Sequence, residues 1–337
     1  MVDHCDSDEI PPKVSVIMNC LNYGRFLPRA LDSVYAQTVA DWEVIFWDNA
    51  STDNSAEIAN SYDRRVRYFR SEKTYPLGRA RNLAFAEAQG EYIALLDCDD
   101  LWLPEKLQKQ LELFRKNPGL GFIYSDSIFF NDDGDQYKMF QAVTPRRGRV
   151  FNELLLKNFI SSETMVFRKT ALDGLDYLFN EKFTMVMDYE LTLRLAYLYE
   201  IDFIDEPLSK WRMHPGSESN TKRFLIPHET RQMLDNLLRQ TPEIGRNFGS
   251  AVTQFVKALD YDFALEAWSK GDGKSARAHL QSNLTNRKFF LTYLLTFVSS
   301  FLYFEKTKSR LNQMLLRFKR ARSGKRPRCC SGPEKTL

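Results

Sequence analysis

Three carboxylates follow an apolar run in the first third of the chain. The run Tyr92–Leu96 has no polar alternation, which predicts a strand buried on both faces of a parallel sheet. Asp97, Asp99 and Asp100 come directly after it, so we expect them at the carboxyl end of that strand, where open α/β sheets bind ligands. Carboxylate oxygens suit Mg²⁺ or Mn²⁺, which proteins often hold with one or two carboxylates and the phosphates of a substrate. The pattern predicts a metal–diphosphate site, with a solvated acidic turn that caps the next helix as the alternative.

The segments around these carboxylates alternate between strand and helix patterns. Strand patterns at 13–19, 43–47, 67–69, 92–96 and 121–125 are separated by helix patterns that begin near residues 28, 55, 76 and 102. The helix near residue 28 has Leu27, Leu31 and Val34 spaced along one face. Such alternation is typical of a sheet built from βαβ units. We therefore expect an α/β fold with a Rossmann-like, mostly parallel sheet flanked by helices.

Beyond residue 125 the pattern changes. The predicted elements are, in order, a hairpin around 131–134, a strand at 162–168, a helix at 187–199, a short strand at 201–204 and a polar loop at 209–219. Asp188 lies near the start of that helix, and the polar loop holds Trp211, Arg212 and His214. From about residue 224 onward the pattern is mostly helical, which predicts a C-terminal helical region.

The composition is that of an ordinary globular protein. The chain has 337 residues, of which 43% are hydrophobic and 27% charged, and its net charge of +3 is too small to indicate nucleic-acid binding. Its five cysteines, an odd number without framework spacing, fit a reducing compartment better than a disulfide scaffold. Residues 1–9 are polar and acidic, which does not match a signal peptide. We expect a cytoplasmic protein with no nucleic-acid partner.

An aromatic and apolar segment near the C-terminus is followed by a basic stretch. The segment Lys288–Phe304 is short for a membrane span, which needs roughly 20 apolar residues. Lysines and arginines continue from Lys306 to Arg328. This pattern is typical of an interfacial anchor on an anionic leaflet, so we expect peripheral association through 288–328 with the inner face of the cell membrane. The alternative is a core helix followed by a solvated tail.

Six segments in order resemble family 2 of the inverting nucleotide-sugar glycosyltransferases, which have the GT-A fold. They are Val14–Asn22, Asp48–Asp53, Gly78–Asn82, Asp97–Asp100, Met187–Leu191 and Trp211–Ser217. Each is weak alone, whereas six in the same order are specific. The resemblance implies a GT-A domain at 13–219, after a disordered lead at 1–12. A helical region at 220–310 and a basic tail at 311–337 would follow it.

The resemblance also implies roles at the metal and at the donor. Asp99 would be the main metal ligand, and Asp97 would bind the metal or the ribose of a nucleotide. His214 would be an additional metal or phosphate ligand, with bracing of its loop as the alternative. The further donor-binding positions would be Asn22, Asp48 at the nucleobase edge, Arg81 on phosphate and Arg212 on the diphosphate. For Asp48 the alternative is a turn former, and for Arg81 it is a surface salt bridge.

Asp188 is the implied general base. Inverting transfer needs a base that takes the proton of the acceptor hydroxyl, opposite the leaving diphosphate. Glu190 is the second choice, and a plain helix N-cap is the alternative role for Asp188. The chain lacks the Gln-x-x-Arg-Trp signature of processive members, which favours addition of a single sugar.

The sequence thus predicts a metal-dependent, inverting glycosyltransferase. It would move a sugar from a nucleotide-diphosphate donor, a UDP-sugar, to a glycan or lipid-linked acceptor. One alternative is a sugar-phosphate nucleotidylyltransferase, but Asn22–Arg25 does not supply the Gly-rich, Lys-bearing loop of that class. The other is a non-catalytic scaffold that binds a sugar nucleotide.

Overall fold

The computed structural model describes residues 12–298 of the chain. Several predictions concern residues outside this range. They are the disordered lead up to residue 11, the helical pattern at 299–310, the basic tail at 311–337 and the membrane-binding stretch at 299–328.

Nine strands in the described part of the chain form one sheet. They are β1 (Val14–Cys20), β2 (Trp42–Asp48), β3 (Val66–Arg70), β4 (Tyr92–Leu95), β5 (Leu101–Trp102), β6 (Leu120–Asn131), β7 (Gly134–Lys138), β8 (Val166–Arg168) and β9 (Glu200–Arg212). Their order is β3-β2-β1-β4-β8-β6-β9-β5, and β7 pairs with β6. The first four strands in this order are parallel, whereas β8 is antiparallel to both its neighbours. The carboxyl ends of β1, β2 and β4 therefore lie at one edge of the sheet.

The helices connect these strands and then make up the C-terminal part. They are α1 (Leu27–Tyr35), α2 (Ser55–Asn60), α3 (Leu77–Ala86), α4 (Lys106–Lys116), α5 (Phe151–Leu156), α6 (Lys169–Asp173), α7 (Met187–Leu198), α8 (Glu218–Thr221), α9 (Ile226–Gln240), α10 (Pro242–Asn247), α11 (Gly249–Ser269), α12 (Gly273–Leu280) and α13 (Arg287–Val298). Short 3₁₀ turns lie at Met139–Gln141, Ser162–Thr164, Arg223–Leu225 and Gln281–Asn283. The prediction of an α/β sheet flanked by helices, with helices at the C-terminal end, is confirmed.

The main core lies between the sheet and the helices of the first half of the chain. Leu27, Leu31 and Val34 are fully buried on the predicted face of α1. They pack in one cluster with residues of the parallel strands, including Val16 of β1. Burial of these apolar side chains fixes the helices against the sheet, because removing apolar area from water is the main favourable term in folding. The strand ends that carry the carboxylates are held in place by this core.

Strand β9 is longer than the sequence pattern predicts. The expected strand ends at residue 204 and a loop begins at 209, whereas the structure continues the strand to Arg212. Trp211 and Arg212 pair with Phe129 and Phe130 of β6, so they lie in the sheet and not in a loop. The sequence pattern missed this part of the strand because the segment contains polar residues and pairs with β6, which is far away in the sequence.

The described residues divide into two compact units, with the division between Phe255 and Val256. The first contains the whole sheet and α1 to α10. The second contains the end of α11 together with α12 and α13. Its core is formed by Tyr261 and Ala264 of α11, Leu280 of α12 and Phe289 of α13. The predicted boundaries after residues 219 and 310 stay predictions. Among residues 12–298, no helix is both long enough and apolar enough to cross a bilayer.

Candidate active site

Two adjacent clefts open at the carboxyl ends of the parallel strands. We call the first the donor cleft, after the donor-binding role expected above for Asp97. It is lined by Asn19 and Cys20 at the end of β1 and by Asp97, Cys98 and Asp99 after β4. We call the second the acceptor cleft, after the role expected for Asp188. It is lined by Arg81 of α3 and Asp188 of α7. Asp97 and Trp211 line both clefts, so the two spaces adjoin at these side chains. The topology thus brings residues from five separate segments together at these clefts.

Asp99 is bound to His214. The Oδ2 atom of Asp99 lies 2.9 Å from Nε2 of His214, and both side chains are largely buried. The imidazole packs against Phe26, with ring centroids 4.9 Å apart. Burial and the neighbouring charge of Asp97 raise the pKa of Asp99, while the hydrogen bond to His214 lowers it. This pair joins the carboxylate segment to the residues after β9.

Asp97 is bound to Arg81. The Nη2 atom of Arg81 donates to Oδ1 of Asp97 over 2.9 Å, and this guanidinium is only 2% exposed. Its Nη1 atom is buried without a hydrogen-bond partner. A buried guanidinium with an unused donor beside a cleft is suited to an anionic ligand such as phosphate. The structure therefore does not support the alternative of a surface salt bridge for Arg81.

Asp188 lies in the first turn of α7 and lines the acceptor cleft. The N-cap of this helix is Val186, so Asp188 is not the N-cap residue. Its Oδ1 atom accepts a hydrogen bond from its neighbour's backbone, Tyr189 N, at 2.8 Å. Burial raises the pKa of Asp188, and the positive charge of Arg81 offsets part of this rise.

The second-choice base, Glu190, has a different environment. It is 1% exposed, and its Oε1 atom accepts a hydrogen bond of 2.9 Å from the Tyr177 hydroxyl. It does not line the acceptor cleft. Of these two acidic residues, only Asp188 lines the acceptor cleft.

Asp100 and Arg212 connect β9 to the carboxylate segment. Asp100 is 1% exposed, and its Oδ1 atom accepts a hydrogen bond from the backbone N of Arg212 at 2.8 Å. The Nε atom of Arg212 donates to the carbonyl oxygen of Asp99, also at 2.8 Å. The guanidinium lies over the Phe130 ring, 4.3 Å from its centroid, and lines neither cleft. In this structure Arg212 fixes the backbone around Asp99, and its predicted contact with diphosphate stays a prediction.

Asp48 and Asn22 line neither cleft, although chain neighbours of both line the donor cleft. Asp48 is fully buried and accepts hydrogen bonds from Ser51 N at 2.7 Å and from the Tyr68 hydroxyl at 2.7 Å. Its second oxygen is also bound by Arg70. The Asn22 side chain accepts a hydrogen bond of 2.7 Å from Thr52 N, so it braces the loop after β2. Both side chains form hydrogen bonds within the protein, and their predicted contacts with a nucleotide-sugar donor stay predictions.

Some residues of the donor cleft were not selected from the sequence. Both amide atoms of Asn19 and the hydroxyl of Ser217 are buried without a hydrogen-bond partner. Both residues line the donor cleft, together with Tyr75. Unsatisfied polar atoms at a cleft wall are candidates for ligand contacts, because leaving them unpaired has a cost in free energy. In the sequence, Asn19 is marked only by its position at the end of a predicted strand and within the segment Val14–Asn22.

The donor set fits a metal that is shared with a substrate. Within residues 12–298, no group of three or more His, Cys, Asp or Glu side chains could hold a metal ion by itself. Mg²⁺ and Mn²⁺ sites of nucleotide enzymes commonly use one or two carboxylates and complete the shell with phosphate oxygens and water. Asp99, with Asp97 beside it at the wall of the same cleft, supplies that number of carboxylates.

Comparison with known proteins identifies the family. The sequence model described as glycosyl transferase family 2 matches residues 15–175. An uncharacterized glycosyltransferase of Nostoc sp. is 31% identical over 285 residues, which covers 76% of this chain and 86% of the relative. The chain belongs to glycosyltransferase family 2. A second relative of this glycosyltransferase, from Escherichia coli, is 31% identical over 212 residues, covering 62% of the chain and 80% of the relative. It is named a UDP-Glc:alpha-D-GlcNAc-diphosphoundecaprenol beta-1,3-glucosyltransferase.

Solved structures confirm the GT-A fold of this glycosyltransferase. Staphylococcus aureus TarS in complex with UDP-GlcNAc superimposes with a TM-score of 0.59 at 19% identity, covering 80% of this chain and 81% of that one. A mannosyltransferase of Pyrobaculum calidifontis in complex with GDP-Man and Mn²⁺ gives 0.57 at 15% identity, covering 85% and 84%. The family membership disfavours the nucleotidylyltransferase alternative.

Proposed function

We propose that this family 2 glycosyltransferase is an inverting, metal-dependent enzyme that adds a single sugar. The donor would be a UDP-sugar, and the acceptor a hydroxyl of a glycan or of a lipid-linked sugar. The observation that carries the proposal is the junction of the two clefts. Asp99 lines one, Asp188 lines the other, and Asp97 lies between them on the wall that both share.

The donor cleft is suited to a nucleoside diphosphate. Asn19 offers a free amide donor and acceptor, and Tyr75 offers an aromatic ring on the same cleft wall. These groups suit a nucleobase, which is both flat and rich in hydrogen-bonding atoms. UDP is the first choice of nucleotide because the Escherichia coli relative is named for UDP-Glc and the TarS complex contains UDP-GlcNAc.

A divalent metal, Mn²⁺ or Mg²⁺, belongs to this proposal. When bound, it would neutralise the negative charge that develops on the departing diphosphate. Asp99 and Asp97 would hold it, and His214 would orient Asp99 through the hydrogen bond between them. The Mn²⁺ in the mannosyltransferase complex supports the use of a divalent ion.

Asp188 would act as the general base. Asp188 lines the acceptor cleft but not the donor cleft, and Asp97 lines both. An acceptor held beside Asp188 would then be separated from the diphosphate by the sugar. A base works best when its pKa approaches the working pH, and burial moves the pKa of Asp188 in that direction. The positive charge of Arg81 opposes this rise, because it favours the ionised carboxylate.

The acceptor cleft has features that suit a sugar. The aromatic rings of Phe129 and Trp211 line it with centroids 5.0 Å apart, and the hydroxyls of Ser161 and Ser162 lie on the same lining. Apolar ring faces and hydroxyl partners together match the two kinds of surface on a glycan. The Escherichia coli relative, named for a diphosphoundecaprenol-linked acceptor, makes a lipid-linked sugar a natural candidate.

Helix α13 supports peripheral membrane association as part of this proposal. Phe290, Leu291, Leu294 and Phe297 are 45–59% exposed and follow helical spacing along one side. Phe289 and Thr292 on the other side are buried. An apolar helix face with basic residues in the neighbouring sequence is typical of helices that lie in a membrane interface. A lipid-linked acceptor would then be reached from the inner face of the cell membrane.

A panel of nucleotides tests the proposed function. Thermal unfolding is measured with UDP, GDP and dTDP, each in Mn²⁺ and in EDTA, because a ligand that binds only the folded state raises the midpoint. We expect UDP with Mn²⁺ to give the largest rise and EDTA to abolish it. UDP-sugars are then incubated with Mn²⁺ and a lipid-linked acceptor, and UDP release is measured. Binding of UDP without turnover of any of the UDP-sugars would favour the alternative of a non-catalytic scaffold.

A further inference from the structure

Two cysteines lie side by side in the floor of the donor cleft. Cys20 ends β1 and Cys98 follows β4, and these strands are parallel neighbours. Their register pairs Ile17 with Leu95, and the two cysteines come three residues later on each side. The Sγ atom of Cys98 lies 3.3 Å from the carbonyl oxygen of Asn19, which belongs to the peptide bond that leads into Cys20.

The two thiols influence each other's ionisation. The neighbouring Cys98 thiol is the main cause of a lowered pKa at Cys20, and the Cys20 thiol is the main cause of a raised pKa at Cys98. The Cys20 thiol also has Ser51 Oγ beside it, 4.0 Å from its sulfur. Cys20 is therefore the better nucleophile of the pair, because the thiolate is the reactive form.

Both cysteines can be reached through the cleft. Cys20 is 1% and Cys98 2% exposed, but both belong to the lining of the donor cleft. A small oxidant that enters this cleft therefore lies against both residues. Both are free thiols in the structure. The proposed transfer reaction uses neither thiol.

We propose that Cys20 and Cys98 form a peroxide-sensitive dithiol whose oxidation to a disulfide displaces Asp97 and Asp99 and thereby weakens donor binding. The Cys20 thiolate attacks one oxygen of hydrogen peroxide and becomes a sulfenic acid, releasing hydroxide that takes up a proton as water. The Cys98 sulfur then attacks the Cys20 sulfur and displaces the sulfenic oxygen as a second water. In total, two thiols and one peroxide give one disulfide and two waters.

The spacing of the two strands is compatible with the bond. Neighbouring strands lie about 4.8 Å apart, which is within the Cα separations of about 4.4–6.8 Å that a disulfide accepts, and each cysteine follows three residues after the last paired position of its strand. Drawing the two sulfurs from contact to a covalent bond pulls the 97–99 segment towards β1. Asp97 and Asp99 flank Cys98 on either side, so their carboxylates would shift with it. This effect on donor binding rests on the proposed function, whereas formation of the disulfide does not.

The test uses the full chain with the other three cysteines replaced. The variant Cys5→Ser, Cys329→Ser, Cys330→Ser keeps Cys20 and Cys98 as its only thiols. It is treated with hydrogen peroxide, quenched with catalase, alkylated in denaturant and digested without reductant. We expect a linked pair of peptides that contain Cys20 and Cys98. The affinity for UDP with Mn²⁺, measured by titration calorimetry, should fall by at least about tenfold and recover in dithiothreitol.

The matched control adds Cys20→Ser to this background. Each protein is compared with its own untreated sample, so any basal effect of the serine cancels. We expect no linked peptide in the control and no change of its UDP affinity after peroxide. Separate alkylation or sulfinic oxidation of the two cysteines in the parent would overturn the proposal, and so would a linked protein that binds UDP normally. Because linkage is read by mass, a lack of nucleotide binding in untreated protein would instead count against the proposed function.

Discussion

The Nε2 atom of His214 lies 2.9 Å from Oδ2 of Asp99, although 115 residues separate them in the sequence. This contact ties the segment after β9 to the carboxylates after β4. Arg212 strengthens the same connection, because it donates to the carbonyl of Asp99 and its own backbone N is bound by Asp100. The position of Asp99, the proposed metal ligand, thus depends on both β4 and β9. The effects of a substitution at Asp99 on ligand binding and on the stability of the fold should therefore be measured separately.

Asp99→Asn should abolish the metal-dependent part of nucleotide binding. The amide keeps the size of the side chain but removes the negative charge that would hold the cation. We expect the Mn²⁺-dependent rise in unfolding midpoint with UDP to disappear. Asp133→Asn, at an exposed position in the turn between β6 and β7, is the matched control and should behave like the parent. A full Mn²⁺-dependent rise in Asp99→Asn would show that this carboxylate does not hold the metal.

Asp188→Asn should keep donor binding and lose turnover. The amide cannot accept the proton of the acceptor hydroxyl, and loss of a general base typically lowers kcat by about 10²- to 10⁴-fold. UDP affinity and kcat are measured on the same preparation. Glu181→Gln, an exposed acid shortly before α7, serves as the control. If Asp188→Asn retained turnover while Glu190→Gln lost it with UDP binding intact, the base would be Glu190.

The acid limb of the pH profile, which is the fall of kcat at low pH, should reflect the protonation of Asp188. The base works only when ionised, so kcat falls as the pH drops through its pKa. Burial raises that pKa, which places the limb above the value of about 3.9 for an ordinary aspartate. Arg81 opposes this rise, so Arg81→Met should move the limb of kcat to higher pH. Unfolding measured at each pH separates the titration of the base from acid denaturation of the protein. If the acid limb of kcat were unchanged in Arg81→Met, Asp188 would not be the titrating group.

The sequence predicted the parts of the fold that depend on local pattern. The buried face of α1, with Leu27, Leu31 and Val34, follows from helical spacing, and the strand before Asp97 follows from its uninterrupted apolar run. Asp97 and Asp99, which the sequence predicted to bind a metal and a diphosphate, line the donor cleft after that strand. Each of these inferences needs only neighbours within a turn of helix or a strand.

The same reasoning could not predict contacts between segments that are distant in the sequence. The continuation of β9 to Arg212 is stabilised by pairing with β6, whose partner residues are about 80 positions earlier in the chain. The burial of Asp48 under Tyr68 depends on how β2 and β3 meet. A polar residue at a strand end is equally compatible with a ligand contact and with an internal brace, and only the packing decides between them.

The exposed face of α13 should be needed for membrane binding. In the full chain, Phe290→Ser, Leu294→Ser and Phe297→Ser together remove apolar area that would enter the interface. We expect the affinity for vesicles with anionic lipid to fall by at least about tenfold, which is 1.4 kcal/mol. Phe224→Ser, which replaces an aromatic residue 61% exposed elsewhere in the chain, is the control. Equal co-sedimentation of the triple variant and the control would contradict the membrane proposal.

Gly78→Ala should destabilise the protein and impair turnover. A Cβ at Gly78 would lie 2.1 Å from the carbonyl oxygen of Asn180, which is backbone and cannot turn away as a side chain can. The backbone N of Gly78 also donates to the carbonyl of Phe183 at 3.1 Å, so the start of α3 and the segment before α7 are in direct contact. Relief of the clash moves one of them, at a cost of about 1–3 kcal/mol in the free energy of unfolding.

The matched control for this close approach is Gly119→Ala. A Cβ there meets no atom within 4 Å, so its effect should stay within about 0.5 kcal/mol. Because the displaced segment leads into the helix that carries Asp188, Gly78→Ala should lower kcat more than it lowers the affinity for UDP. Denaturant unfolding and steady-state kinetics give the two readouts. If Gly78→Ala matched Gly119→Ala in both, the contact between α3 and the 180–183 segment would not be what positions the proposed base.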